Sequence, residues 1–361
     1  MSINFFEEKP RIAKRQPHKR KPEKIIKRES IKSLFEKFLD AKVKQNLRPT
    51  TLNKYVIAFK SFEKFYSTIS DQPLYLSNIS TDLISDYVYW LKNDCVKFEG
   101  HKYTPAEYQT KGLADASIET RIKNLKSFMS WCQKEELIQK NPFDKFEGFQ
   151  QNKKDIDILT RSEIDELLKV AKIHSKKSFK HFRDYVLLHL LVDGMLRITE
   201  ALLISPTDIN HSDKSILIQS ENAKSRKSRM IPLSNKTYRL IEQLLIENEA
   251  FEGEVDDLLF LSLSGKMLSK NNVLRDIRKY AVEAEISKRF YLHLLRHSSA
   301  THYLSSSGDI ESLRKILGHS DLRTVLIYAH MADNTVQQRH ASAGFFGTDN
   351  KIYRKRNNRR I

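Results

Sequence analysis

YLHLLRHSSATHYLSSSGDIESLRKILGHSDLRTVLIYAHM, running from Tyr291 to Met331, carries more chemistry than any other stretch of the chain. Leu292, Leu295, Ala300, Tyr303, Leu304, Leu313, Ile316 and Leu317 recur at spacings that bury one face of a helix. Between them stand three histidines (His293, His297, His319), Arg296 and Tyr328. The pattern predicts core helices that present a cluster of phosphate-binding and proton-transfer groups. A second arginine, a lysine on a turn and a basic clamp upstream would complete such a site.

The chain has 361 residues, more than one hydrophobic core usually organises, so two domains are expected. Sixty-three Lys and Arg against 45 Asp and Glu give a formal charge of +18. An excess of that size points to a polyanionic partner, most often nucleic acid. Anionic lipid is the weaker choice, since no long apolar run or lipidation motif accompanies the charge. Cys95 and Cys132 are too few and too scattered for a disulfide framework or a structural zinc site. With no secretory signal read at the start, a cytoplasmic, nucleoid-associated protein with no membrane part is expected.

Residues 1–28 hold ten Lys and Arg against three acids, with Pro10, Pro17 and Pro22, and read as a basic disordered arm. From residue 29 to about 150 the pattern is helical. Ser30 N-caps a first amphipathic helix lined by Ile31, Leu34, Phe35, Phe38, Leu39 and Val43. Pro49 opens a second, lined by Leu52, Tyr55, Val56, Phe59, Phe62 and Phe65. Thr81 caps a third, residues 95–115 form a polar connection, and a fourth helix runs from Ser117 to Leu137. Asn141-Pro142 ends this bundle, and a polar connector puts the boundary near 150–157. A second domain, 155–347, begins with Thr160 and Glu163 at capping-box spacing. Two helical segments between Lys177 and Leu203 lead to SILIQS and SRMIPL, short β runs flanking a turn. Helices return at Asn235–Asn248 and Lys270–Ala284, and a basic tail, 348–361, follows the second domain. The fold class is therefore mainly α with a small antiparallel β-sheet.

Arg197 lies in DGMLRITEALLI, where an arginine among apolar neighbours needs a partner, and Glu200 at i+3 supplies one. Taken alone, a structural Arg–Glu pair accounts for it; a braced guanidinium facing phosphate is the functional alternative. Lys224 sits on the turn AKSRKSRMIPL with Arg226, Lys227 and Arg229, where a lysine is most often solvated. It could also donate a proton to a leaving oxygen. His293 and His297 are spaced like zinc ligands, but Leu294 replaces the glutamate of an HExxH site and no third ligand follows closely. His293 and Arg296 share a helix face and make a natural anion site. Tyr328 is a core aromatic or, beside two arginines and a histidine, a nucleophile whose phenolate is stabilised. No GxxxxGK[ST] loop and no carboxylate cluster is present, and the acids read as spread along helix surfaces. That argues against ATP-driven or two-metal chemistry.

Taken in order, GMLRITEALLI, AKSRKSRMIPL, HLLRH, ILGHSDLRT and IYAHM resemble the motif series of the tyrosine recombinase (phage integrase) family, of the Xer-like or mobile-element type. The resemblance covers roughly 155–340 and, by general pattern only, 29–140. It implies a helical, SAM-like core-DNA-binding domain followed by a mixed α/β catalytic domain. It implies that Tyr328 attacks a scissile phosphate to give a 3′-phosphotyrosyl bond, with Arg197 and Arg296 on the non-bridging oxygens. Lys224 would protonate the 5′-oxygen, His293 would assist proton transfer and His319 would hydrogen-bond the phosphate. No metal or other cofactor is implied. The implied partner is double-stranded DNA, bound as a homotetramer on two sites through a Holliday junction, with a second recombinase or a DNA-bending protein as accessory. Departures are the long 95–115 connection, Lys227 as rival to Lys224, and an arm too short for a separate arm-binding domain. A type IB topoisomerase and a non-cutting DNA-binding protein of the same fold are the alternatives.

Overall fold

The computed structural model describes residues 30–97, 99, 105–146, 157–223, 227–307, 309–319, 321–322, 325–326 and 328. The chain divides into two compact units, Met1–Lys154 and Asp155–Ile361. Among the described residues, no helix is long and apolar enough to cross a membrane.

In the first unit, α1 (Ile31–Lys44), α2 (Pro49–Ile69), α3 (Thr81–Asn93) and α4 (Asp115–Lys134) pack around one aromatic core. Ser30 caps α1 by accepting from the Ser33 N–H, and Pro49 takes the first turn of α2, where its missing N–H costs nothing. Phe35 stacks on Phe59 with centroids 3.9 Å apart, and the edges of Phe38 and Phe128 close the cluster. Burying each such ring contributes about 2 kcal/mol. The expected lining of α1 stops short of its end, because Val43 is 56 % exposed. Ser80, not Thr81, caps α3: its hydroxyl accepts from Leu83, and Thr81 already has helical geometry. The fourth helix ends at Lys134 and not at Leu137, because Glu136 turns into the left-handed region with φ +57°. In the 95–115 connection, Val96 bridges Lys111 and a 3₁₀ turn spans Ala106–Tyr108.

The second unit is built on α6 (Phe179–Asp193), in which every residue from Arg183 to Leu191 is buried. A helix buried all round is a core element and needs neighbours on all sides. They are α5 (Arg161–Ser175), the short α7 (Ile198–Ala201), α8 (Asn235–Asn248) and α10 (Leu292–Ser307), while α9 (Lys270–Glu283) packs on α5. The capping box at Thr160 is formed as its spacing predicts, with Glu163 accepting from the Thr160 N–H at 2.6 Å. The sheet has three antiparallel strands, β1 (Ile209–Asn210), β2 (Ser215–Ile218) and β3 (Arg229–Pro232), in the order β1-β2-β3. β1 is too short to show alternation in sequence. Ile216 faces Ile231 and Ile218 faces Arg229 across β2 and β3. Finally, α10 and α11 (Ile310–Leu317) enclose a satellite core of Met195, Ala300, Leu304, Leu313, Leu317, Val325 and Tyr328.

Candidate active site

The chain reverses sharply after α6. Gly194 ends the helix, and a Cβ there would meet the Leu190 carbonyl oxygen at 3.1 Å and Ile231 at 3.2 Å. Met195 follows at φ +50°, and Arg197 then N-caps α7. Glu200, three residues on, accepts from the Arg197 backbone N–H at 3.1 Å and from its guanidinium at 2.8 Å. The Arg–Glu pair expected from sequence is therefore present, but it is one side of a larger cluster. The same carboxylate, 1 % exposed, takes a hydrogen bond from Arg229 at 2.7 Å and lies 3.8 Å from Arg296. Burial pushes the Glu200 pKa up, but the hydrogen bond and charge of Arg229, with Arg197, outweigh it and hold it below the ordinary carboxylate range.

Arg296 is among the largest fully buried side chains. Its Nη1 donates to the Met195 carbonyl at 2.7 Å and its Nη2 to the Leu317 carbonyl at 2.8 Å. Burial and the neighbouring Arg197 pull its pKa down to about 10, so it stays charged at neutral pH. The left-handed turn at Gly318, φ +63°, brings His319 back so that its Nε2 lies 3.3 Å from Arg296 Nη2. Burial, then Arg296, Arg197 and Arg229, push the His319 pKa down to about 4, so the ring is neutral. Since guanidinium only donates, His319 Nε2 accepts and its proton sits on Nδ1.

Tyr328 is 2 % exposed in the satellite core. The charge and hydrogen bond of Arg296, and the charge of Arg197, favour its phenolate, but burial outweighs them and the pKa is raised. The stabilised phenolate expected from sequence is not realised, because desolvation exceeds the pull of the arginines. His293 and Arg296, expected on one face of α10, lie in different environments. Three residues apart, they sit about 60° apart around the helix, enough to bury Arg296 while His293 stays exposed. Arg296 meets His319 instead. His293 packs its ring against His297 at 4.5 Å, and His297 lies 5.5 Å from the Tyr328 ring. His297, which sequence spacing offers mainly as half of a metal pair, is thus the histidine ring beside the tyrosine. Among the described residues, no group of three or more His, Cys, Asp or Glu is placed to hold a metal ion.

Arg197, Arg296, His319 and Tyr328 are therefore brought together, with His293 one ring further out. Lys224 lies outside the described residues, as do Arg226 and the arm and tail; Lys227 is exposed. Nor are the acids all on helix surfaces: Asp184, Glu200, Asp208 and Asp276 are buried. Arg229 is the residue that sequence reasoning passed over, counted only as one more charge on a basic turn. Strand alternation could have found it, since it shares a face with the fully buried Ile231 two positions on.

A cationic cluster around one buried carboxylate, with a tyrosine against it, is suited to holding a phosphate beside a nucleophile. The models of two families match the chain: the phage integrase family over residues 157–335 and the phage integrase SAM-like domain over 26–150. The chain belongs to the phage integrase family. It is a tyrosine site-specific recombinase in its class of activity. The tyrosine recombinase XerC of Chlamydia caviae is 27% identical over 314 residues, which cover 85% of this chain and 97% of that protein. XerD of Staphylococcus haemolyticus is 28% identical over 230 residues, 63% of this chain and 76% of its own. In fold, the chain is similar to the XerH site-specific recombinase bound to a palindromic difH substrate. That likeness has a TM-score of 0.65 and 21% identity, and covers 84% of this chain and 81% of that one. It is also similar to the Tn1549 transposon integrase in complex with transposon right end DNA, with a TM-score of 0.64 and 15% identity over 86% of this chain and 99% of that one.

Proposed function

We propose that the protein cleaves and rejoins DNA with Tyr328 as nucleophile, and that the cluster around Glu200 is its phosphate-binding half. The Tyr328 phenolic oxygen forms a bond to the scissile phosphorus as the bond to the 5′-oxygen breaks. One phosphodiester is exchanged for another, so no external energy source enters the balance. The phenolic proton leaves as the bond forms, because a tyrosine whose pKa is raised is not ionised beforehand. His293 takes part in that transfer, with the His297 ring between it and the tyrosine. Arg197 and Arg296 neutralise the charge that grows on the non-bridging oxygens, and His319 donates its Nδ1 hydrogen to one of them. Lys224, in the sequence between β2 and β3, gives the 5′-oxygen its proton.

The observation that carries this reading is the convergence of four separate segments: Arg197 and Arg296 meet at the buried Glu200 carboxylate, and His319 and Tyr328 meet Arg296. We propose further that residues 29–150 form the core-DNA-binding domain and 155–347 the catalytic domain. The partner is double-stranded DNA, engaged by a homotetramer on two sites with strands exchanged through a Holliday junction. The segment after Tyr328 lies outside the described residues; its Phe345 and Phe346 make it the candidate contact with a neighbouring subunit. The setting is the cytoplasm, on the nucleoid, in a chromosomal Xer-like or mobile-element system. The test is covalent capture: fragmented host DNA is incubated with the protein, denatured, and the protein-linked fragments are sequenced. A shared cleaved sequence recovered with wild type and lost with Tyr328→Phe is expected; equal recovery with both, or none with wild type, overturns the proposal.

A further inference from the structure

Arg229 has no role in the scheme above, yet it ties the central carboxylate to the end of α11. It stands at the root of the β2–β3 turn, paired across the sheet with Ile218. Its side chain is 8% exposed and bonds in two directions. One Nη reaches Glu200 Oε2 at 2.7 Å, and Nε donates to the Ile316 carbonyl at 2.9 Å. The next carbonyl, Leu317, is the one that Arg296 holds. Two consecutive carbonyls at the C-terminal end of α11, which lack helical partners, are thus held by two arginines. Gly318 follows directly, and a Cβ there would lie 3.0 Å from Arg229 Cδ, Nε and Cζ. The glycine is required both by its left-handed φ and by the arginine lying over it.

We propose that Arg229 is a positioning residue: by occupying Glu200 Oε2 and the Ile316 carbonyl together, it fixes Arg197, Arg296 and the His319 turn in register for the scissile phosphate. The physical reason is a division of one carboxylate among three cations. The Arg197 guanidinium binds Oε1 and its backbone N–H binds Oε2, Arg229 binds Oε2 at 2.7 Å and reaches Oε1 at 3.5 Å, and Arg296 remains 3.8 Å away, committed to Met195 and Leu317. Without Arg229, Oε2 has an open bonding position and Arg296 is the nearest cation able to fill it. The nitrogen facing Oε2 is Nη1, so moving there would take Arg296 off the Met195 carbonyl and shift Nη2, which holds the Leu317 carbonyl and meets His319. Lysine cannot replace Arg229, because a single ammonium does not span both acceptors with the geometry of a planar fork.

This inference rests on the proposed roles of Arg197, Arg296 and His319. Single-turnover cleavage of a nicked duplex carrying the captured site tests it with Arg229→Lys, Arg229→Met, Glu200→Gln and the Arg229→Met/Glu200→Gln pair. Both Arg229 variants are expected to bind the duplex as wild type does and to form adduct roughly 10–100-fold more slowly, the usual cost of losing a residue that orients site groups. The double variant is expected to be no slower than Glu200→Gln, because the two act through one contact. A substrate with sulfur in place of the 5′-bridging oxygen needs no leaving-group proton, so it should rescue Lys224→Ala and leave the Arg229 variants slow. Wild-type rates in a folded Arg229→Lys protein, or additive losses in the pair, would overturn the inference. Unfolding of both Arg229 variants would do the same, by making the residue a fold determinant. Absence of adduct with wild type would instead overturn the proposed function.

Discussion

Glu200→Gln removes the one negative charge at the centre of the site while keeping its size. The carboxylate is 1% exposed and bonds to Arg197 at 2.8 Å and Arg229 at 2.7 Å, with Arg296 at 3.8 Å. Glutamine retains an acceptor oxygen but leaves three guanidinium groups facing one another in a desolvated space. Removing one partner of a buried ion pair costs about 3–5 kcal/mol. The Arg197 side chain keeps 19% exposure and can turn toward water. The lower end, about 3 kcal/mol, is therefore expected. In a unit of this size each kcal/mol moves Tm by roughly 2–4 °C, so the transition of the second unit should drop by roughly 6–12 °C. Calorimetry at neutral pH measures the drop. The folded carboxylate titrates below its ordinary value of 4.5, so its contribution is complete above that value and vanishes as pH falls through the lowered one. The gap between wild type and variant should therefore close in strong acid. A drop of less than about 1 °C at neutral pH, or a gap that persists unchanged in acid, would refute the shared-carboxylate account.

Three other outcomes follow from the same geometry. His319 should titrate near its lowered value of about 4 when followed by NMR. The unfolded chain takes up that proton first, so stability should fall as pH drops from 6.5 toward 4 and the contribution should be absent in His319→Gln. Gly318→Ala should cost about 1–2 kcal/mol from its positive φ alone, and should slow adduct formation as well because its methyl displaces Arg229. Thr160→Ala removes the hydroxyl that accepts from the Glu163 N–H and should cost about 1 kcal/mol in urea denaturation, with cleavage rate unchanged.

Helices with a strong apolar period were legible in the sequence, because burial of one face is what period 3.6 encodes. The caps at Ser30 and Thr160 were legible for the same local reason, being set by residues within one turn. β1 was not, since two residues carry no alternation. Of the site, Arg197, Arg296, His319 and Tyr328 could be named from their motifs, but their arrangement could not. That Arg296 turns inward to meet His319 while His293 faces out depends on where Met195 and Leu317 place their carbonyls, which is tertiary information. The raised pKa of Tyr328 is hidden for a similar reason, since burial is a property of the packed satellite core. Arg229 was concealed by its neighbours in a run of basic residues, although its alternation with Ile231 marks it as inward.

The central claim is that Tyr328 is the atom donor of the covalent bond, with the leaving strand released at its 5′-oxygen. A duplex nicked close to the captured cleavage position traps that bond, and mass spectrometry of the digested complex locates it. The account predicts a nucleotide joined through its 3′-phosphate to the peptide containing Tyr328, absent when Tyr328→Phe is used although that variant still shifts the duplex. An adduct on any other residue, a bond through the 5′-phosphate, or an adduct that survives Tyr328→Phe would contradict it.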